Sequence, residues 1–127
     1  MLDLSTLGSA ALTKTVVINE SEVTLGFCKP DHFMLLDLDR DAAPLRRRME
    51  AKENPRSEDV FPLLKFLDAH VVDVSGVKLG KKKIAKWSDI PEDTRITLLR
   101  QISVSDFWEI YGEVVQLGRL KAPEKND

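Results

Sequence analysis

The sequence predicts an α+β domain in which an N-terminal β-hairpin and a small second strand pair pack with about four to five short helices. Three observations carry this prediction. Two early strand-like runs flank a polar turn, a second β-branched run lies in mid-chain, and capped segments with apolar residues at helical spacing lie between and after them. The chain has 127 residues, 43% of them hydrophobic and 31% charged, so we expect one core and no wholesale disorder.

We expect a single domain over residues 13–120, with a flexible segment at 1–12 and a polar tail at 121–127. Residues 124–127 carry no apolar side chain that would anchor the tail. The opening residues lack the basic leader and continuous apolar run of a signal peptide. No stretch approaches the ~20 consecutive apolar residues of a membrane-spanning helix. The sequence therefore predicts a soluble, cytoplasmic protein that does not contact a membrane.

A β-hairpin opens the predicted domain. Lys14 to Ile18 is β-branched, Asn19-Glu20-Ser21 is a polar turn, and Glu22 to Phe27 alternates in polarity. The two-residue period of a strand places Val23, Leu25 and Phe27 on one face. We expect that face to meet the helices.

Two short helices are predicted after Pro30. Asp31 is the expected N-cap of the first, because its carboxylate can accept from the free amides of the first turn. Pro44 disfavours helix at Ala43, so we expect a break or kink there before a second helix over Leu45 to Lys52. The apolar positions of the first helix are Phe33, Met34, Leu36 and Leu38, and those of the second are Leu45 and Met49.

The next helix has a regular apolar period, and we expect it to belong to the core. Either Ser57 or Asp59 can cap it. With Asp59 as the cap, Pro62 lies in the first turn, where its missing donor would have had no helical partner. With Ser57 as the cap, Pro62 implies a bend. The apolar positions are Val60, Leu63, Leu64 and Leu67.

The second strand pair is predicted from a β-branched run at Val71 to Val74. Ser75-Gly76 is expected to turn the chain into a partner strand at Val77 to Leu79. We interpret Gly80 and the three lysines after it as a solvated loop.

Two further capped helices close the predicted domain and are expected to pack as a pair. Ser88 or Asp89 is the expected cap of the first, and Pro91 fits its first turn. Ser103 or Ser105 begins the second, and Gly118 ends it. Their buried stripes are Ile96, Leu98, Leu99 and Ile102 in the first helix and Phe107, Ile110, Tyr111, Val114, Val115 and Leu117 in the second.

The sequence contains no catalytic or metal-binding motif. His32 and His70 are far apart and lack the spacing of zinc ligands. Asp37, Asp39 and Asp41 alternate as in a calcium loop, but the required glycine and terminal glutamate are missing. We therefore expect no catalytic residue, no metal site and no cofactor, and a protein that is not an enzyme.

Cys28 is the only cysteine, so an intrachain disulfide and a four-cysteine metal site are excluded. A thiolate nucleophile needs a nearby cation or helix start, which Lys29 and the helix after Asp31 supply only in part. We favour the alternative, a small apolar residue at the end of a strand.

Two basic clusters are candidate contact sites. A net charge of -2 provides no overall drive toward nucleic acid, and neither cluster has interleaved aromatic residues. Solvated charge runs are the favoured interpretation, with a small nucleic-acid-binding regulator as the alternative. The clusters are Arg46, Arg47 and Arg48, and Lys81, Lys82 and Lys83.

Trp108 is the remaining candidate for partner binding. On a helix it points about 100° away from Phe107, and Phe107 and Tyr111 already extend the core stripe. Tryptophan is enriched in interface hot spots, so Trp108 is either a partner contact or part of a second core face.

The order of elements resembles that of tail and baseplate assembly proteins of long-tailed bacteriophages, including tail assembly chaperones. The resemblance rests on layout, from the Thr-Val-Val-Ile hairpin through Val-Val-Asp-Val-Ser-Gly-Val to Ser-Asp-Ile-Pro-Glu-Asp-Thr-Arg-Ile-Thr-Leu-Leu. It spans most of Lys14 to Leu117, and no functional residue carries over by motif.

The resemblance implies a non-enzymatic assembly factor in the host cytoplasm that binds other tail proteins, such as a tape measure or hub component. Trp108 and the basic clusters are the residues we expect at its contacts. A close variant of this hypothesis is a structural subunit retained in the tail or baseplate of the virion. The oligomeric state is left open.

Overall fold

The computed structural model describes residues 1–119, and the predicted tail at 121–127 lies outside them. Four antiparallel strands form one sheet in the order β1-β2-β3-β4, which confirms the α+β class. The strands are β1 (Leu12–Ile18), β2 (Ser21–Phe27), β3 (Val71–Leu79) and β4 (Lys82–Lys86). The helices are α1 (His32–Asp41), α2 (Ala43–Glu50), α3 (Ser57–His70), α4 (Glu92–Arg100) and α5 (Val104–Arg119), with 3-10 turns at Leu4–Thr6 and Trp87–Asp89.

Every strand and each of the five helices contributes a buried apolar side chain to one core. Val23, Leu25 and Phe27 are all buried, which confirms the predicted inner face of β2. No helix within residues 1–119 is long and apolar enough to cross a membrane.

The first hairpin forms where it is predicted. Ile18 pairs with Ser21, and the two residues between them both have positive φ, 51° at Asn19 and 66° at Glu20. Positive φ at both central residues is the geometry of a type I′ turn, whose twist matches that of the paired strands.

The predicted turn at Ser75-Gly76 is wrong, because β3 runs straight through it. Gly76 has a φ of 84°, and a Cβ atom there would collide with the carbonyl oxygen of Glu22 on β2. The pairing with β4 is irregular between Asp73 and Val77, so the glycine lies at a bulge. The turn follows at Gly80, and Lys82 and Lys83 belong to β4 instead of a loop.

The break between the first two helices is confirmed, since α1 ends at Asp41 and α2 begins at Ala43 with Pro44 in its first turn. Ala43 is helical, contrary to the prediction. The buried residues of α1 are Leu35 and Leu38. Phe33 is 74% exposed, so the predicted apolar stripe of α1 is partly wrong.

Neither predicted cap begins α3. The helix starts at Ser57 after Arg56, whose backbone N–H donates to the Asp59 carboxylate at 3.0 Å. Pro62 therefore lies inside the helix. The buried residues of α3 include Leu63, Leu64 and Leu67, as predicted.

The last two helices form, but they do not pack mainly on each other. Helix α4 packs chiefly on α3, whereas α5 contacts β1, α1 and α3, so the predicted pair is wrong. Ser88 and Asp89 lie in the 3-10 turn, and α4 begins after Pro91. The Ser103 hydroxyl accepts from the Asp106 amide at 3.3 Å, which confirms Ser103 as the start of α5.

Gly118 lies within α5 and does not end it. A Cβ atom at this position would lie 3.0 Å from both Cβ and the carbonyl oxygen of Pro30. The glycine therefore serves the close packing of α5 against the chain after β2.

Candidate functional site

An apolar groove of about 400 Å³ lies between the first half of α3 and the junction of α4 with α5. This volume is within the ~300–1,000 Å³ of ordinary ligand pockets. We call it the Trp108 groove, after the largest side chain in its wall. Its apolar lining includes Val60, Phe61 and Leu64 of α3 and Val104, Phe107 and Trp108 of α5.

Helical spacing explains how these side chains meet. On α5, Val104, Phe107 and Trp108 follow the i, i+3, i+4 pattern that places residues on one face. The floor of the groove is buried, as Leu64 and Phe107 show. Its walls are open, with Phe61 43%, Val104 75% and Trp108 36% exposed. The groove is thus an exposed apolar surface on a packed base.

The Trp108 ring is held in place by two other aromatic rings. Its centroid lies 5.3 Å from that of Phe107 and 6.0 Å from that of Tyr111, both in edge-to-face arrangements. Burial raises the pKa of the Tyr111 phenol, as expected for a ring largely inside the core. Trp108 was predicted to be either a partner contact or part of a second core face. Its position is intermediate, because part of the ring packs on Phe107 and Tyr111 and the rest is exposed to solvent.

The rim of the groove carries two arginines, and within residues 1–119 one of them is paired with a carboxylate and one is not. The guanidinium of Arg56 is exposed and lies 3.6 Å from the Glu58 carboxylate. Arg100, at the end of α4, is exposed and forms no ion pair with any residue in the described range. A partner with a carboxylate beside its apolar side chains would complement this rim.

The Arg46 to Arg48 cluster does not line the groove, and two of its members bind carboxylates within the chain. Arg46 donates to the Asp39 backbone carbonyl at 2.6 Å and lies 3.5 Å from the Asp39 carboxylate. Arg48 pairs with the buried Asp59. Arg47 is exposed on α2. These contacts reduce the positive charge that the cluster can offer to phosphates.

Lys81 lies in the turn before β4, and Lys82 and Lys83 lie on that edge strand, away from the groove lining. All three are exposed. Lysines on an edge strand oppose pairing with strands of other molecules, which accounts for the cluster without a ligand.

The residues considered for chemistry are placed in ordinary structural roles. Burial raises the pKa of the Cys28 thiol, which disfavours the thiolate that a nucleophile needs. His70 is buried, with Nδ1 2.7 Å from the Phe66 carbonyl, whereas His32 is exposed at the start of α1. In the described part of the chain, no three or more His, Cys, Asp or Glu side chains are grouped to hold a metal ion.

One partly buried polar cluster was not predicted from the sequence. The Asp68 carboxylate on α3 accepts from Trp87 Nε1 at 2.8 Å and from Arg95 Nε at 2.8 Å. Arg95 Nη1 also donates to the Ile90 carbonyl at 2.7 Å. We call Asp68, Trp87 and Arg95 the Asp68 junction. It fixes α4 and the preceding 3-10 turn against α3, and it explains the arginine of the Ser-Asp-Ile-Pro-Glu-Asp-Thr-Arg segment as structural.

Comparison of the chain with protein-family models, with curated proteins and with solved structures found no match.

Proposed function

We propose that this protein is a non-enzymatic tail or baseplate assembly protein of a long-tailed bacteriophage, which binds another tail protein through the Trp108 groove. The observation that carries the proposal is the groove itself, a packed apolar floor with open apolar walls. The phage role comes from the resemblance in the order of the hairpin, the mid-chain strand and the closing helices.

The groove has the properties expected of a contact surface for an apolar segment. Its floor is preformed, so a partner side chain would be desolvated without rearrangement of the core. Trp108 would then contribute a large, restrained ring of the kind that dominates binding energy at interfaces. Arg100 on the rim favours a partner that carries an acidic residue beside its apolar ones.

The proposal is tested by copurification from phage-infected cells. Tagged wild-type protein is expected to retain a tail protein that mass spectrometry identifies. Val104→Asp places a charge in the groove wall at a 75% exposed position, so we expect the fold to survive and the tail protein to be lost. Phe33→Ser, at a 74% exposed position on α1, is the matched control and should retain the partner.

Two results would contradict the proposal. One is the absence of any tail-protein partner together with normal tails when the gene is deleted. The other is equal retention of the tail protein by the wild type and by Val104→Asp. Mass spectrometry of purified virions separates an assembly factor, which is absent from the particle, from a structural subunit, which is retained.

A further inference from the structure

The segment before β1 exposes three leucines that nothing in the described chain covers. Leu2, Leu4 and Leu7 are between 64% and 72% exposed. The segment is nevertheless locally ordered, because Asp3 caps the 3-10 turn at Leu4–Thr6 by accepting from the Ser5 amide at 3.0 Å. We call residues 2–10 the leucine arm. Its closely spaced apolar side chains would lose exposed area by binding to an apolar surface.

The arm and the Trp108 groove complement each other. About 400 Å³ has room for a few side chains, which an extended segment such as the arm can supply. The arm also carries Asp3 between its leucines. Ser5 uses only Oδ1 of that carboxylate, and Oδ2 accepts no hydrogen bond within residues 1–119. Arg100, which has no ion-pair partner in the same range, lies on the groove rim.

The geometry of the sheet directs the arm away from its own groove. Leu25 and Phe27 of β2 face the helices, so Gly26 between them faces the opposite side. A Cβ atom on Gly26 would lie 3.0 Å from Ala10 Cβ, so the base of the arm crosses the sheet on the face away from the helices. The groove is built by α3 and α5 on the helical side.

We infer that the leucine arm of one copy of this chain binds in the Trp108 groove of a second copy. Arm and groove are different surfaces, so the contact either closes reciprocally between two copies that exchange arms or continues from copy to copy into rings or filaments. The same groove is used in the proposed function, so the arm and a tail protein would compete. The inference requires that the groove bind apolar segments and does not require a phage role.

Sedimentation equilibrium of the purified chain tests this inference. The wild type should associate with rising concentration, either to a dimer that exchanges arms or to larger rings or filaments. Leu4→Ser combined with Leu7→Ser in the arm, or Val104→Asp in the groove, should weaken association by about tenfold or more. The matched control is Val17→Ser, an exposed apolar position on the outer face of β1, which should leave association unchanged.

A mixing experiment identifies the contact as one between arm and groove. The arm variant retains a groove and the groove variant retains an arm, so an equimolar mixture should form a one-to-one pair through a single arm–groove contact, more tightly than either variant associates alone. Asp3→Arg should weaken association of the wild type, and Arg100→Asp in the same chain should restore it.

A wild type that stays monomeric at every concentration would overturn the inference, as would association that the arm and groove variants leave unchanged or a mixture in which no pair forms. These measurements contain no tail protein. A negative result in these measurements therefore does not affect the copurification result. A negative copurification result likewise does not affect the evidence for self-association.

Discussion

The two tryptophans of the chain differ in how much of each indole the fold uses. Trp87 is 2% exposed, and its N–H donates to Asp68 at 2.8 Å. Trp108 is 36% exposed and is held by the rings of Phe107 and Tyr111. An indole with a buried ring and a hydrogen-bonded N–H group stabilises the fold. An indole with part of its ring exposed is available for contact with a partner.

Both tryptophans lie against α3 at different points along it. Trp87 meets Asp68 near the end of the helix, where Arg95 completes a polar junction. Trp108 faces Val60 and Leu64 nearer the beginning, across an open groove. We therefore assign stability to one end of α3 and propose partner binding at the other.

Removing each indole should separate the two roles most strongly. Trp87→Ala should lower the free energy of unfolding by about 3–5 kcal/mol, because a large buried side chain leaves a cavity. Trp108→Ala should cost about 1–2 kcal/mol, since part of that ring is already in water. Urea unfolding followed by circular dichroism measures both. Equal losses would contradict the assignment.

The carboxylate of the Asp68 junction should matter nearly as much as the Trp87 ring. Asp68→Ala leaves the Trp87 N–H and the Arg95 guanidinium without their acceptor, and we expect a loss of about 2–4 kcal/mol after allowance for partial exposure. Asp68→Asn keeps an acceptor and should cost less. Asp89→Ala, at an exposed position nearby, is the control and should change unfolding by no more than about 0.5 kcal/mol. If Asp68→Ala left the free energy of unfolding unchanged, the Asp68 junction would not stabilise the fold.

Replacing each indole with phenylalanine removes the N–H group together with part of the ring. Trp87→Phe removes the donor to Asp68 and should cost about 1–2 kcal/mol. Trp108→Phe should change the free energy of unfolding by less than about 0.5 kcal/mol. If Trp108→Phe were the more costly of the two in the same urea titrations, its N–H would serve the fold.

The smallest expected effect concerns the exposed ion pair beside the junction. Lys65 Nζ lies 2.6 Å from Glu92 Oε1, and this hydrogen bond lowers the pKa of Glu92 from 4.5 and raises that of Lys65 from 10.5. The contribution of Glu92 to the free energy of unfolding is present at pH values above its ordinary pKa and is lost as the pH falls through the lowered pKa. The Lys65 contribution is present below its ordinary pKa and is lost as pH rises through the raised value.

Glu92→Gln should therefore destabilise the protein slightly at neutral pH and hardly at all in acid, with the difference reduced by salt. Unfolding at several pH values checks this. If Glu92→Gln cost as much as Asp68→Ala, the exposed pair would hold α4 on α3 as strongly as the Asp68 junction does.

Local patterns predicted the fold class, the first hairpin and the existence of the helices, because those features depend on residues close in sequence. The turn at Gly76 failed for a non-local reason. The positive φ of Gly76 is compatible with both a turn and a bulge. Its close approach to the Glu22 carbonyl, on the neighbouring strand, shows that it lies at a bulge, and that contact is not local in sequence. Likewise, apolar spacing on α4 and α5 shows that each helix buries a face, but not that α4 packs on α3 while α5 packs on β1, α1 and α3.

The candidate site was predicted only in part. Trp108 was found because Phe107 and Tyr111 already accounted for the core stripe of α5. Val60 and Leu64 were predicted as core residues of a helix. No pattern in the neighbouring sequence indicates that this part of the helix borders an open groove. Asp68 was not predicted as a residue of any site. Its two donors follow much later in the chain, and tertiary packing alone brings them together.

Fluorine NMR of the wild-type chain labelled with 5-fluorotryptophan tests the central claim most directly, because both indoles are observed at once without a substitution in the fold. In dilute solution the Trp108 resonance should show a solvent isotope shift and the Trp87 resonance should not. When a partner or the leucine arm of another copy binds, the Trp108 resonance should move and lose that shift while Trp87 stays unchanged. Equal shielding of both indoles in dilute solution, or a binding response at Trp87 instead of Trp108, would contradict the account.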